Sequence, residues 1–230
     1  MTATTTFVNL QNRVTDMLGK SDSTTVNRVK NWLNMGQFEF VARENWPFRE
    51  TTGSLATVSS TQEYSLSSNF SDLDAQNIIA VSIQGASHAK LAYWPYDRFR
   101  IDQPDFDYEG TGVPSRYYIK AGSIGFWLVP NAVFTVAIDY FKLPTEMSAD
   151  SDASIIPLAY RQSLVHYALS KEHDYNTDPD LAVKEMNSFE QSIQAARNSL
   201  LGQPFDNGNF TILGPQDFTN WSGLYNNEAR

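Results

Sequence analysis

The sequence predicts an α+β fold: a four-helix bundle with an inserted antiparallel β-domain of about six strands, and an extended C-terminal tail. Three observations predict it. Apolar residues recur at spacings of three and four near both ends of the 230-residue chain. Between them, from about Arg49 to Phe141, the period drops to two. Beyond Gly202 neither period survives. Helices at both ends with strands between them imply that the helices pack together and the sheet interrupts them. The expected organisation is a discontinuous helical bundle (1–48 with 153–201), an inserted β region (49–152) and a tail (202–230).

The first helix is read from Phe7, Leu10, Val14 and Met17, which form one helical face, with Gly19 as its stop. Ser23, Thr24 and Thr25 offer caps for the second, whose stripe is Val26, Val29, Leu33, Gly36 and Phe40, with Trp32 beside it. Trp46-Pro47-Phe48 closes it, because proline disfavours helix in the residue before it. ETTGSLATVSS and TQEYSLSS then alternate as strands. IIAVSIQG (78–85) reads as a more buried strand, with AKLAYW (89–94) as its hairpin partner across Ala86-Ser87-His88. YDRFRID (96–102) is expected to form a helical turn after Pro95.

SRYYIK (115–120), IGFWLVP (124–130) and AVFTVAIDYF (132–141) read as a β-meander, turning at Ala121-Gly122-Ser123 and at Pro130-Asn131. Pro157 suits the first position of the third helix, with Ile156, Tyr160, Leu164 and Tyr167 on its buried stripe. Asp178-Pro179 starts the fourth, in which Ala182, Met186, Phe189, Ile193, Ala196 and Leu200 repeat at 4-3-4-3-4. The tail is polar yet carries Phe205, Phe210, Phe218, Trp221 and Tyr225. Single aromatics on a polar segment cannot build a core, so these five are the candidate partner-docking residues.

Composition narrows the function classes. With no cysteine, disulfides, thiolate metal sites and cysteine nucleophiles are excluded. A net charge of −9, from 26 acidic against 17 basic residues, opposes tight non-specific binding to nucleic acid. The opening MTATTTFVNLQNRV shows no basic segment followed by an apolar core, so no export signal is expected, and no apolar run reaches the ~20 residues of a membrane span.

Motifs for chemistry are weak. Asp105-Phe106-Asp107-Tyr108-Glu109-Gly110 imitates half of a calcium loop, but the twelfth position is Arg116 where a bidentate Glu is required, so an exposed acidic loop is the better reading. His166 and His173 lie two turns apart on one helix without further ligands, and no metal is expected. GxSxG, P-loop and GxGxxG patterns are absent, so neither catalytic residues nor a cofactor is expected. Trp46-Pro47-Phe48 and Trp94-Pro95-Tyr96 read as packing clusters in preference to sugar-stacking platforms.

Several short motifs, in order, carry a family resemblance over roughly residues 24–201. They are Asn45-Trp46-Pro47-Phe48, Gln62-Glu63-Tyr64-Ser65-Leu66, Gly112-Val113-Pro114-Ser115-Arg116-Tyr117-Tyr118 and Leu128-Val129-Pro130-Asn131. Asp139-Tyr140-Phe141-Lys142-Leu143-Pro144, Asp150-Ser151-Asp152 and Ile156-Pro157-Leu158-Ala159-Tyr160 complete the set. With them the chain resembles the head–tail adaptor (connector) proteins of tailed bacteriophages.

That resemblance implies a structural virion protein without catalysis. It implies a ring, a dodecamer, between the portal protein and the tail or nozzle proteins, around a channel through which genomic DNA passes without specific binding. It also implies that the C-terminal segment reaches the portal, and that the protein is made in the host cytoplasm. An alternative of a different class is a carbohydrate- or receptor-binding module that uses Trp94 or Trp127 of the β insertion.

Overall fold

A computed structural model describes residues 5–70, 72–84, 90–102 and 110–201. These residues form six α-helices and nine strands: α1 (Phe7–Leu18), α2 (Ser23–Ala42), β1 (Glu50–Ala56), β2 (Glu63–Ser65), α3 (Leu66–Asn69), β3 (Leu73–Gln84), β4 (Ala92–Tyr93), α4 (Tyr96–Asp102), β5 (Thr111–Gly112), β6 (Arg116–Lys120), β7 (Ser123–Trp127), β8 (Val129–Pro130), β9 (Thr135–Lys142), α5 (Gln162–Tyr175) and α6 (Pro179–Ala196). The fold is mixed α+β, but it is not a four-helix bundle with a six-strand insert. Three small sheets replace the single antiparallel block, ordered β1-β9-β3, β2-β7-β6-β4 and β5-β8.

The correction has a local cause. The β6–β7 hairpin forms as read, although its loop is two residues, Ala121 and Gly122, both at positive φ as a tight primed turn requires. The chain then does not fold β9 back onto β7. Val129–Pro130 pairs in parallel with β5, and β9 crosses to another sheet, where it runs antiparallel between β1 and β3. β4 likewise pairs in parallel with β6, and the residues just before it meet β3 through the Ser82–Lys90 bridge and the Leu91 N–H on the Val81 carbonyl. The turn expected at Ala86-Ser87-His88 lies outside the described residues. The two larger sheets share one apolar core, to which Leu55, Val136 and Ile138 contribute from one and Tyr117, Ile124 and Phe126 from the other. Gly125 leaves room for the Tyr118 ring, which a side chain there would strike.

α1, α2, α5 and α6 surround a second core containing Phe7, Leu33, Phe40, Trp46, Leu164 and Phe189. α5 is central, and it packs against α1, α2 and α6. Gly36 of α2 makes room for the Tyr167 ring of α5: a Cβ there would lie 2.9 Å from Cδ1 of Tyr167. Helix ends differ from the reading in three places. Asp22 caps α2 by accepting from the Thr25 N–H at 2.9 Å, in place of the Ser or Thr hydroxyls. α5 begins at Gln162 after a 3-10 turn at Leu158–Tyr160, not at Pro157. Met17 is solvent-exposed, whereas Phe7, Leu10 and Val14 are buried as read. Asp178 caps α6 ahead of Pro179, as expected.

The connection from β9 to α5 threads along α2, and two α2 amides hold it there. Asn34 Nδ2 donates to the Met147 carbonyl at 3.0 Å, while its Oδ1 accepts from the Met147 N–H at 2.9 Å. Gln37, fully buried, donates through Nε2 to the Thr145 carbonyl at 2.9 Å and accepts from the Ile155 N–H at 3.3 Å. Replacing Gln37 by leucine removes both bonds, each to a partly buried backbone group. The expected cost is about 1–3 kcal/mol, read as a lowered urea midpoint at unchanged m-value; an unchanged midpoint would refute this account of the loop.

Candidate functional site

Residues 139–160, which hold the last three motifs of the family resemblance, are fastened at both ends. Arg161 closes one end. Its guanidinium donates to three backbone carbonyls, Ile156 at 2.8 Å, Ser154 at 2.8 Å and Thr5 at 2.9 Å, and burial pushes its pKa down from the ordinary value. The Thr5 bond draws the start of the described chain onto this loop. There the N–H groups of Phe7 and Val8 donate to the carbonyls of Asp152 and Asp150, satisfying donors that the first turn of α1 cannot satisfy itself. The Asp152 carboxylate in turn accepts from the N–H groups of Ser148 and Ala149 at 2.7 and 2.8 Å.

Those backbone bonds hold the Asp152 carboxyl below its ordinary pKa, and the Thr25 hydroxyl and N–H do the same for Asp22. Depressed carboxylate values stabilise the fold above the ordinary value of 3.8, and the contribution is lost as pH falls through the folded-state value. Asp152→Asn is therefore expected to flatten the fall in melting temperature on acidification below about pH 4, a comparison made by thermal melts across that range. Parallel curves for the two proteins would show that the bond to Ser148 and Ala149 contributes nothing through charge.

In the β region a column of rings and cations takes shape where α4 packs over β6. Arg116 lies 3.8 Å from the Trp94 centroid and 4.8 Å from that of Trp127, and Arg98 lies 5.3 Å from Trp94. Phe99 and Tyr118 are buried beneath, 5.2 Å apart, and the Tyr118 hydroxyl donates to Glu63 at 2.9 Å. Trp94 and Trp127 thus lie against cations and meet Phe99 edge-on, so each half-buried indole is packed within the chain. Trp46 and Phe48 stack on each other at 5.9 Å, with Trp46 fully buried. Both aromatic clusters are packing.

His166 and His173 do not converge. His166 Nδ1 meets Glu185 Oε2 at 2.7 Å and links α5 to α6, while His173 sits in the last turn of α5. Asp105, Asp107 and Glu109 lie outside the described residues. Among the described residues no group of three His, Asp or Glu is placed to hold a metal, and no helix is long and apolar enough to cross a membrane. The hollow beside Ile79 and Tyr93 is open and has one charged residue, Lys90, on its wall, without the convergent polar groups of an active site.

The five nominated docking residues, Phe205, Phe210, Phe218, Trp221 and Tyr225, lie outside the described residues. The described residues end at Leu201. After α6 a π-helical turn, Arg197–Leu201, is tied down by the Arg197–Glu44 ion pair at 2.6 Å and by Leu200 against the core. Arg43 bridges Glu39 and Glu190 at 2.8 and 2.9 Å nearby. Glu44, just past the end of α2, therefore lies within reach of the turn that follows α6.

The model of one protein family, described as SU10 adaptor protein, matches residues 5–209. The chain belongs to the SU10 adaptor protein family. The match begins at the first described residues, so the α1 segment, which the motif resemblance omitted, is part of the family pattern. No curated protein matches the chain. Membership makes it a phage structural adaptor, a virion component associated with head and tail parts, of a class that is typically non-enzymatic. The sequence reading does not single out Asn34, Gln37 and Arg161, which hold the β9–α5 loop. The available signal was two amides three residues apart, next to Leu33 and Gly36 on an otherwise apolar stripe.

Proposed function

We propose that this chain is the repeating subunit of an adaptor ring, twelve copies in the virion, seated between the portal and the tail or nozzle proteins and surrounding the path of the genome. The single observation that carries this reading is the family match across residues 5–209. The net charge of −9 supports the channel: a ring of such subunits repels DNA phosphates, so the genome passes without being held. In this reading the protein works by binding alone, and the portal templates the ring, so the free chain is monomeric.

The tail is the portal-docking element, through Phe205, Phe210, Phe218, Trp221 and Tyr225. Electron microscopy of virion necks, or native mass spectrometry with purified portal, tests the ring; failure to form rings on a portal or in virions would refute it. Truncation after Gly202 is expected to leave the melting temperature unchanged and to abolish loading onto the portal. Normal loading of the truncated chain would refute the docking role.

A further inference from the structure

A subunit with a charge of −9 that must lie against copies of itself needs surfaces from which charge has been removed. Two helix faces meet that requirement. On α2, Thr24, Asn27, Asn31, Met35, Phe38 and Ala42 form the exposed stripe, and none is charged. The charged residues of this 20-residue helix are elsewhere: Arg28 turns inward to Glu172, Lys30 is half-buried, and Glu39 pairs with Arg43. Met35 and Phe38 remain 47% and 40% exposed. On α6, the exposed positions beyond Lys184 are Asn187, Gln191, Gln194 and Ala195, continued by Asn198 in the π turn. Nearby Glu190 and Arg197 are held by Arg43 and Glu44 of the same chain.

An outward helix face in an acidic protein ordinarily carries Glu and Lys for solvation. A nucleic-acid face would carry several Lys and Arg; the α2 stripe has none, and the α6 stripe has Lys184 alone, at its start. Neutrality on both faces matches them to each other, and it is the charge match that an acidic subunit has to offer a copy of itself. Their relative placement agrees. Phe40 packs on Phe189 at 6.4 Å and Arg43 reaches Glu190, so α2 and α6 run in the same sense with residues 38–42 level with 187–191. A rotation about an axis along the helices therefore carries α6 of one copy to α2 of the next at the same height. Two different faces in contact make a head-to-tail interface, the type that closes into rings.

We propose that the outer face of α2 in one copy packs against the outer face of α6 in the next, with Met35 and Phe38 covered by the Asn187–Gln194 amide row. This inference rests on the ring reading given above. The absence of cysteine from the chain makes the test clean. Full-length protein carrying Phe38→Cys and Asn187→Cys is incorporated into particles and treated with a short bis-maleimide. The expected result is a ladder of covalent dimers, trimers and higher multimers, absent from either single variant. Neck assembly without a ladder would overturn the interface and leave the ring reading intact. Absence of the wild-type chain from necks would overturn the ring reading and this inference with it. As a second arm, Phe38→Glu is expected to lower the copies per particle at least tenfold, and adding Asn187→Lys to restore them. Normal incorporation of Phe38→Glu would refute the contact.

Discussion

Trp46→Ala is expected to cost about 3–5 kcal/mol, a large share of the stability of a small domain. The indole is fully buried, 5.1 Å from Phe40 and 5.9 Å from Phe48, so removing it empties a ring-sized volume in the helical core. Its Nε1–H donates to the Phe40 carbonyl at 2.9 Å, one of the α2 carbonyls close to the helix end. The loss would spread along the chain, because Trp46 leads into the 3-10 turn Pro47–Arg49 that delivers the chain to β1. Within that turn Arg49 is buried and donates to the Lys142 carbonyl at 3.0 Å, holding the end of β9 against the helical layer. Trp46→Phe keeps most of the packing and is expected to lose about 1–2 kcal/mol, mainly the hydrogen bond and part of the ring. Urea denaturation followed by far-UV dichroism measures both. A loss below about 1 kcal/mol for Trp46→Ala would show that the core collapses around the gap and that Trp46 does not act as the joint between layers.

The helical layer is legible in the sequence because its signals are local. Asp178-Pro179 and the 4-3-4-3-4 run of α6 report a cap and a face without reference to any other segment. Met17 shows the limit: it continues an apolar spacing yet is exposed, since apolar residues are not obliged to be inside. The sheets are less legible because alternation identifies a strand but not its partner. AVFTVAIDYF reads as the third strand of a meander, and only the non-local contact with β1 and β3 places it elsewhere. Strands of two residues, such as β4, β5 and β8, fall below any period, as does the four-residue α3. The clasp residues escape for another reason. Asn34, Gln37 and Arg161 bond to backbone carbonyls and N–H groups, and a backbone partner leaves no complementary residue type to find. Of the candidate site, the loop that they hold was marked by its motifs, whereas the means of holding it was not.

Glu172→Leu is the other change with a large expected effect, about 2–4 kcal/mol. Three hydrogen bonds lose their acceptor while their donors stay in place, and the partly exposed Arg28 regains some water. Glu172 is a fully buried carboxylate in α5 that accepts three bonds from α2: from Arg28 Nε at 2.9 Å, from Arg28 Nη2 at 3.1 Å and from Trp32 Nε1 at 3.0 Å. Arg28 also lies 4.3 Å from the Tyr175 ring and donates to Thr25, so one guanidinium links the start of α2 to the end of α5. Leucine removes the counter-ion and the indole acceptor together while leaving both donors in place. The pair itself is a different matter, because burying two charges costs solvation that their attraction only partly returns. The double variant Glu172→Leu with Arg28→Met is therefore expected to recover most of the loss, leaving only the Trp32 N–H without its acceptor. A double-mutant cycle by denaturant unfolding separates the two ideas. If the double variant is as unstable as Glu172→Leu alone, the damage lies in lost packing or in Trp32, and the stranded Arg28 charge is not its cause. If Glu172→Leu is itself harmless, this link between α2 and α5 contributes specificity of helix register without net stability.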